Sequence, residues 1–179
     1  MSEKKAFLQV KDLNVEYVTK EETVSAVNGV SFELEKGRVL GLVGETGAGK
    51  TTIARSILRV LQEPPAVLKK GEILLDGNNL LKLSEEEMCK VRGEKITMIF
   101  QDPMTSLNPV MSVGDQIAEV IALHDNIPKK EIRKKAEDML ETVGIPAERY
   151  DEYPHQFSGG MKQRVVIAIA LACNPQLLL

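Results

Sequence analysis

The stretch of sequence that decides the fold reads Gly44-Glu45-Thr46-Gly47-Ala48-Gly49-Lys50-Thr51-Thr52. It fits the pattern G-x-x-x-x-G-K-[ST], which is typical of the phosphate-binding loop of proteins that use ATP or GTP. Its glycines allow the backbone to curl so that successive N–H groups point at phosphate oxygens. Lys50 supplies a positive charge that reaches the β- and γ-phosphates, and the Thr51 hydroxyl is placed to hold Mg²⁺. The alternative is a glycine-rich turn that matches by chance.

The sequence on both sides of this loop favours the phosphate-binding interpretation. The short apolar run Val39-Leu40-Gly41-Leu42-Val43 predicts a buried strand. After the loop, a helix is indicated by apolar residues at helical spacing, namely Ile53, Ile57, Leu58 and Leu61. Pro64-Pro65 then stops the helix. Strand, glycine loop and helix are the order that points a helix N-terminus at an anion.

Composition narrows the class of protein. The chain has 179 residues, enough for one domain with a sizeable core. Its apolar fraction of 43% and charged fraction of 27% are ordinary for a soluble globular protein. A net charge of -3 gives no indication of a nucleic-acid surface. No apolar run is long enough to cross a bilayer. Cys89 and Cys173 form no metal or redox pair motif, so a reducing cytosol is the simplest compartment.

Hydrophobic patterning divides the chain into a β-rich part and a helical part. Near-alternating residues from Leu8 to Tyr17, with a slip at Lys11-Asp12, and again from Val30 to Leu34, predict antiparallel strands that are solvated on one face. Further strands are expected at 71–77 and, buried, at 96–100.

From Asp102 onward the pattern is helical. Ser112 followed by Asp115 predicts a helix start, and Pro128 and Ser158 open two further helices. The second helix carries basic residues interleaved with acidic ones, which indicates a solvated face rather than a nucleic-acid patch. Residues 176–179 begin a core strand.

Ser158-Gly159-Gly160 is a second glycine-rich helix start, and by itself it indicates only an N-cap. Together with the phosphate loop, it resembles the ATPase family of ABC transporters. The resembling run is Phe157-Ser158-Gly159-Gly160-Met161-Lys162-Gln163-Arg164. The family usually has Leu and Gln where this chain has Phe157 and Met161. The serine and both glycines, which the resemblance assigns to phosphate contact, are intact.

Other residues resemble the same family. Gln101 resembles the glutamine of its Q-loop, although a polar strand cap is the alternative. The wider run 100–109, and Tyr153-Pro154-His155-Gln156, resemble the importer branch for dipeptides, oligopeptides and nickel. Tyr17 matches the position of an aromatic that stacks on adenine, and the alternative is an ordinary strand aromatic.

The resemblance implies an α/β fold of the P-loop NTPase type. A mostly parallel sheet with helices is expected to carry the loop, beside an N-terminal antiparallel β layer and a helical subdomain. The expected division is 1–101 for the β layer and phosphate-loop core, 102–157 for the helical subdomain, and 158–179 for the signature helix and the start of the catalytic core strand.

The resemblance also implies the ligands and the site. ATP and Mg²⁺ are expected, with Thr51 and Gln101 near the metal and Gln101 in the catalytic site. In the family, a strand after the signature helix ends in Asp-Glu, and a histidine follows later. This chain ends at Leu177-Leu178-Leu179, before those residues. We therefore expect an N-terminal fragment of a longer ATPase, which binds ATP but hydrolyses it poorly or not at all.

The implied function is that of an ATP-binding subunit of an importer for peptides or related solutes. Its implied partners are transmembrane permease subunits, a second ATP-binding subunit that shares the nucleotide head to tail, and, indirectly, an extracytoplasmic solute-binding protein. The implied place is the cytoplasmic face of the membrane, and no nucleic acid is expected. Two alternatives stay open: a soluble ABC ATPase that acts on nucleic acid or ribosomes, and a non-catalytic nucleotide-binding module.

Overall fold

A computed structural model of the chain describes residues 6–102, 106–125 and 127–179. Pro103, Met104 and Thr105, which belong to the importer-type run, lie outside the described residues. The chain divides into two compact units, Met1–Met88 and Cys89–Leu179. The division into three parts at residues 101 and 157 stays a prediction.

The first unit is built on an antiparallel sheet. Its strands are β1 (Leu8–Val18), β2 (Thr23–Leu34), β3 (Ala66–Leu75) and β4 (Asn78–Asn79), in the spatial order β2-β1-β3-β4. The inner strand β1 contributes to the core, because its Leu8, Val10, Leu13 and Val15 are all buried. The predicted antiparallel β layer is therefore confirmed.

An irregularity in β1 lies where the sequence predicts a slip. Asp12 adopts a φ of 47°, and the pairing register with β2 shifts between Val10 and Leu13. Opposite it on β3, Gly71 has a φ of 125°, and a Cβ placed there would lie 2.7 Å from Cα of Leu13. Only glycine accommodates both this conformation and this close approach.

The strand predicted at Val39–Val43 is wrong for the described structure. Residues 38–45 have no regular secondary structure, and Val39 and Val43 are each 98% exposed. A run that is apolar on both faces is typical of a parallel strand with neighbours on both edges and cover on both faces. In the part of the chain that the structure describes, no strand pairs with this run, so the pattern has nothing to bury against.

The helix after the phosphate loop, α1 (Lys50–Leu58), is shorter than its apolar spacing predicts. Arg59 takes a left-handed conformation with a φ of 53°, and this ends the helix before Leu61. The Arg59 guanidinium then donates to the carbonyl oxygens of Leu80 at 3.2 Å and Leu83 at 2.6 Å. Helix α2 (Glu85–Glu94) follows, with a kink at its last turn.

The second unit is mainly helical. It contains α3 (Val113–His124), α4 (Lys129–Thr142) and α5 (Gly159–Leu171), and a short parallel pair of β5 (Ile96–Thr97) with β6 (Leu177–Leu178). The strand predicted at 96–100 is thus shorter than expected, and Phe100 is 44% exposed. The helices enclose a core of fully buried side chains, including Ile117, Ile121, Leu140 and Val165.

The predicted helix starts in the second unit are confirmed. Ser112 caps α3 by accepting a hydrogen bond from the backbone N–H of Asp115 at 3.1 Å. Pro128 precedes α4, and Gly144, with a φ of 75°, follows the end of that helix. Among the described residues, no helix combines the length and hydropathy needed to cross a membrane.

Candidate functional site

The phosphate loop is fixed by glycines that no other residue replaces without strain. Gly47 and Gly49 have φ angles of 86° and 81°, in the left-handed region. A Cβ placed at Gly49 would lie 2.2 Å from the carbonyl oxygen of Ala26 on β2. The last glycine of the motif is therefore required both by its conformation and by its contact with the sheet.

Helix α1 begins directly at the end of this loop without a side-chain cap. Its N-cap residue is Gly49, which has no side chain to accept a hydrogen bond from the first turn. The first backbone N–H groups of a helix have no partner within the helix, and the helix dipole adds partial positive charge there. The start of α1 is consequently suited to an anion such as a phosphate.

Lys50 lies across its own loop. Its ammonium group donates to the carbonyl oxygens of Gly44 and Glu45, each at 2.7 Å. Both acceptors are neutral, so a phosphate oxygen is a stronger partner for this ammonium. The ammonium group is already held over the loop, and phosphate oxygens can replace the two carbonyl oxygens as its hydrogen-bond acceptors.

Tyr17, near the end of β1, is brought close to the helix that follows the loop. Its hydroxyl lies 3.4 Å from Oγ1 of Thr52 in the first turn of α1. On the central strand its sheet neighbours are Val24 and Ala66. The structure thus places the aromatic beside the candidate phosphate site, and its role in stacking on adenine stays a prediction.

The candidate magnesium ligands are oxygen donors. Thr51 is exposed in the first turn of α1, next to Lys50, so its hydroxyl fits a hard cation held beside phosphates. Gln101 lies in an exposed bend of the second unit and has an amide oxygen of the same type. Each residue fits the ion by its chemistry, and their roles as ligands stay predictions.

The second glycine-rich helix start is exposed and capped. Ser158 is the N-cap of α5, and its Oγ accepts a hydrogen bond from the backbone N–H of Met161 at 3.4 Å. Gly159 and Gly160 are exposed, and apart from neighbouring residues and the backbone of the helix itself, no described atom lies within 4 Å of a Cβ placed at either residue. This helix start therefore presents its backbone at the surface.

Sequence reasoning missed two polar residues that shape the second unit. The buried Gln116 accepts a hydrogen bond from the N–H of Asn108 at 2.9 Å and donates to the carbonyl oxygens of Asn108 and Met111. Arg149 contacts the segment that leads into Ser158. A polar residue on the apolar face of α3 is a sequence signal for Gln116, whereas Arg149 stands among other charged residues and gives no such signal.

A glycine-rich phosphate loop that opens a helix, in a unit built on an antiparallel β layer, defines a nucleotide-binding protein of the α/β P-loop class. The family of ABC transporters matches residues 27–179. The chain belongs to this family, and the predicted fold class is thereby confirmed. Membership implies ATP binding.

Individual relatives agree with this assignment. The oligopeptide transport ATP-binding protein OppD of Bacillus subtilis is 52% identical over 174 residues, which are 96% of this chain and 49% of that protein. The dipeptide transport ATP-binding protein DppD of Bacillus subtilis is 49% identical over 96% of this chain and 52% of its own length. The chain spans about half the length of these curated relatives.

Solved structures share the fold. An ATP-binding cassette, solved as a dimer in a post-hydrolysis state with ADP and Pi, superimposes with a TM-score of 0.84 and 26% sequence identity. The match covers 96% of this chain and 72% of that one.

Proposed function

We propose that the whole protein is the ATP-binding subunit of an importer that couples ATP binding and hydrolysis to the uptake of peptides or related solutes. The observation that carries this proposal is the 52% identity, over 96% of the chain, to an oligopeptide transport ATP-binding protein. The sequence runs 153–156 and 100–109, which resemble the same importer branch, support it further.

The nucleotide is held first by the phosphate loop. Residues 44–52 wrap the phosphates with backbone N–H groups, and the ammonium of Lys50 exchanges its two loop carbonyls for phosphate oxygens. Tyr17 stacks on the adenine, a contact that needs only a flat ring face. Thr51 and Gln101 are the proposed protein ligands of Mg²⁺, which when bound would neutralise part of the phosphate charge.

The second contact comes from Ser158-Gly159-Gly160. This helix start is exposed, and like the start of α1 it can direct N–H groups at an anion once the serine cap is exchanged. We place it against the phosphates of a nucleotide held by the loop of a second ATP-binding subunit. The solved relative that forms a dimer with ADP and Pi supports this arrangement.

The proposed partners follow from this function. The subunit binds transmembrane permease subunits at the cytoplasmic face of the membrane, as a peripheral protein, and the second ATP-binding subunit completes the complex. An extracytoplasmic solute-binding protein acts with the complex without touching this chain. The net charge of -3 supports a function without nucleic acid.

The test is peptide uptake by the complete complex in sealed membrane vesicles with ATP on the cytoplasmic side. We expect labelled di- or oligopeptide to accumulate only with ATP and the solute-binding protein. Lys50→Ala should abolish uptake, and Lys20→Ala, which removes an exposed lysine in the turn between β1 and β2, is the matched control.

Two results would contradict the proposal. If the whole protein hydrolyses ATP but stays in the soluble fraction when the permease is present, a soluble ABC ATPase is the better interpretation. If the complex binds ATP and never turns it over, the chain is a non-catalytic nucleotide-binding module.

A further inference from the structure

Arg149 lies in the turn that precedes the Ser158 helix start, and its side chain is held in one orientation. Nε donates to a carboxylate oxygen of Glu152 at 2.8 Å, and a second guanidinium nitrogen donates to the same oxygen. This hydrogen bonding raises the pKa of Arg149 and lowers the pKa of Glu152. One edge of the planar guanidinium is thereby fixed by Glu152, and its other N–H donors and its flat face are left for contacts with other residues.

The face and one donor of Arg149 contact the residues immediately before Ser158. The guanidinium carbon lies 4.3 Å from the ring centroid of Phe157, and Phe157 is 5% exposed. One guanidinium nitrogen donates to the carbonyl oxygen of Gln156 at 3.2 Å. The two residues that precede Ser158 are therefore both held by one side chain.

The other guanidinium nitrogen contacts Met161, which follows Ser158 in the helix start. It lies 3.4 Å from the sulfur of Met161, and the backbone N–H of Met161 is the donor to Oγ of Ser158. Arg149 thus bridges both flanks of the helix start.

Arg133 provides a comparison within the same unit. Its guanidinium carbon lies 4.1 Å from the ring centroid of Tyr150, and it pairs with the carboxylates of Asp151 and Glu137, each at 2.9 Å. The contacts are of the same kind as those of Arg149: one ring face and carboxylate partners. They differ in what they hold. Arg133 contacts Glu137, Tyr150 and Asp151, whereas Arg149 contacts Gln156, Phe157 and Met161 around Ser158.

We propose, on the basis of the function proposed above, that Arg149 is a positioning residue: it sets the place of Ser158-Gly159-Gly160 for a nucleotide bound by the other subunit. The loss of Arg149 should therefore lower turnover and leave nucleotide binding by the phosphate loop of the same chain unchanged. Because small displacements of positioning groups cost much of a rate, we expect roughly 10- to 100-fold lower kcat.

The experiment measures ATP hydrolysis by the complete transport complex and, separately, ATP affinity of the unassembled whole subunit. The variants are Arg149→Met and Arg149→Lys, with Arg133→Met as the matched control. Lysine keeps the charge but has no planar fork. Arg149→Lys should therefore fold, and its kcat should still fall by most of the factor seen for Arg149→Met. Glu152→Gln, which loosens Arg149 without changing it, should lower kcat by a smaller factor.

The result that supports the inference is a lower kcat in both Arg149 variants, with ATP affinity of the subunit unchanged and with Arg133→Met close to the wild type. Equal losses of kcat in Arg149→Met and Arg133→Met would overturn it, because both arginines would then be merely structural. Wild-type rates in Arg149→Lys and Glu152→Gln would overturn it as well. If the wild-type complex fails to hydrolyse ATP, the proposed function itself fails, and the inference with it.

Discussion

The two glycine-rich helix starts differ in how the surrounding structure holds them. The start of α1 has no side-chain cap and follows residues 38–45, which have no regular structure. The start of α5 has a serine cap, and Arg149 ties both of its flanks to the helical unit. One start is shaped by glycine conformation and by the contact of Gly49 with β2, and the other by the side chains of Ser158 and Arg149.

This difference indicates different modes of action. Uncapped N–H groups and a lysine over neutral carbonyls are ready to receive phosphates from solution. The start at Ser158 is capped, exposed and supported by Arg149. It is therefore suited to contact, as a preformed surface, a nucleotide that another chain has already bound. The loop is thus expected to govern affinity, and the second start to govern turnover.

The largest expected difference is between the amide hydrogen-exchange rates of two segments, measured on residues 1–179. The amides of Val39–Val43 should exchange almost as fast as an unfolded peptide, because no described strand pairs with them and Val39 and Val43 are almost fully exposed. The amides of Val165–Ala170 in α5 should be the slow class, since this segment is helical and largely buried. Comparable protection in the two segments would remove the structural difference on which the comparison is based.

A smaller effect is expected from Gly49→Ala, with Gly37→Ala as its control. Both glycines have left-handed φ angles, 81° and 74°, so each alanine costs about 1–2 kcal/mol of backbone strain. Only the alanine at position 49 also meets a backbone oxygen, that of Ala26 at 2.2 Å. We expect at least tenfold weaker ATP binding for Gly49→Ala, and unchanged binding for Gly37→Ala, in a titration of the whole subunit.

Equal ATP affinities for the two alanine variants would show that the contact of the loop with β2 does not shape the phosphate site. Weaker binding in both would point to general destabilisation of the first unit, which thermal unfolding of the two variants would detect.

The smallest expected effect is on the unfolding free energy at high pH, through Tyr150 of the second unit. Burial, together with a hydrogen bond from its hydroxyl to Asp115 at 3.1 Å, raises the pKa of Tyr150 to about 12. Because the pKa is higher folded than unfolded, Tyr150 stabilises the fold below about pH 10, and this contribution is lost as the pH rises towards 12. Tyr150→Phe should therefore lose less of its unfolding free energy between pH 10 and 12 than the wild type does.

The matching measurement is denaturant unfolding across that pH range, with Tyr153→Phe as the control because Tyr153 is 42% exposed. At neutral pH, Tyr150→Phe should cost about 1 kcal/mol for the lost hydrogen bond. Parallel pH profiles for wild type and Tyr150→Phe would contradict the assignment.

Features determined by neighbouring residues were predictable from the sequence. The phosphate loop, the Ser112 and Ser158 helix starts and the slip at Lys11-Asp12 all depend on residues within a few positions of each other. Their hydrogen bonds or φ angles follow from residue type, so the pattern is sufficient.

Features that depend on distant partners were not predictable. The apolar run Val39–Val43 has the composition of a buried strand, but a strand forms only where another edge receives its hydrogen bonds. At the early end of α1, Arg59 donates to the carbonyl oxygens of Leu80 and Leu83, partners more than 20 residues away that a local pattern does not reveal. The contact of Arg149 with the ring of Phe157 likewise forms only when the chain between them has folded.

In the proposed mechanism, the loop binds the nucleotide and the Ser158 helix start completes the site of another subunit. Ser158→Arg tests it most directly, with ATP affinity measured on the unassembled whole subunit and ATP hydrolysis measured on the complete complex. We predict an affinity within about twofold of the wild type and a loss of hydrolysis of about 100-fold or more. An affinity as weak as that of Lys50→Ala, or hydrolysis at the wild-type rate, would contradict the account.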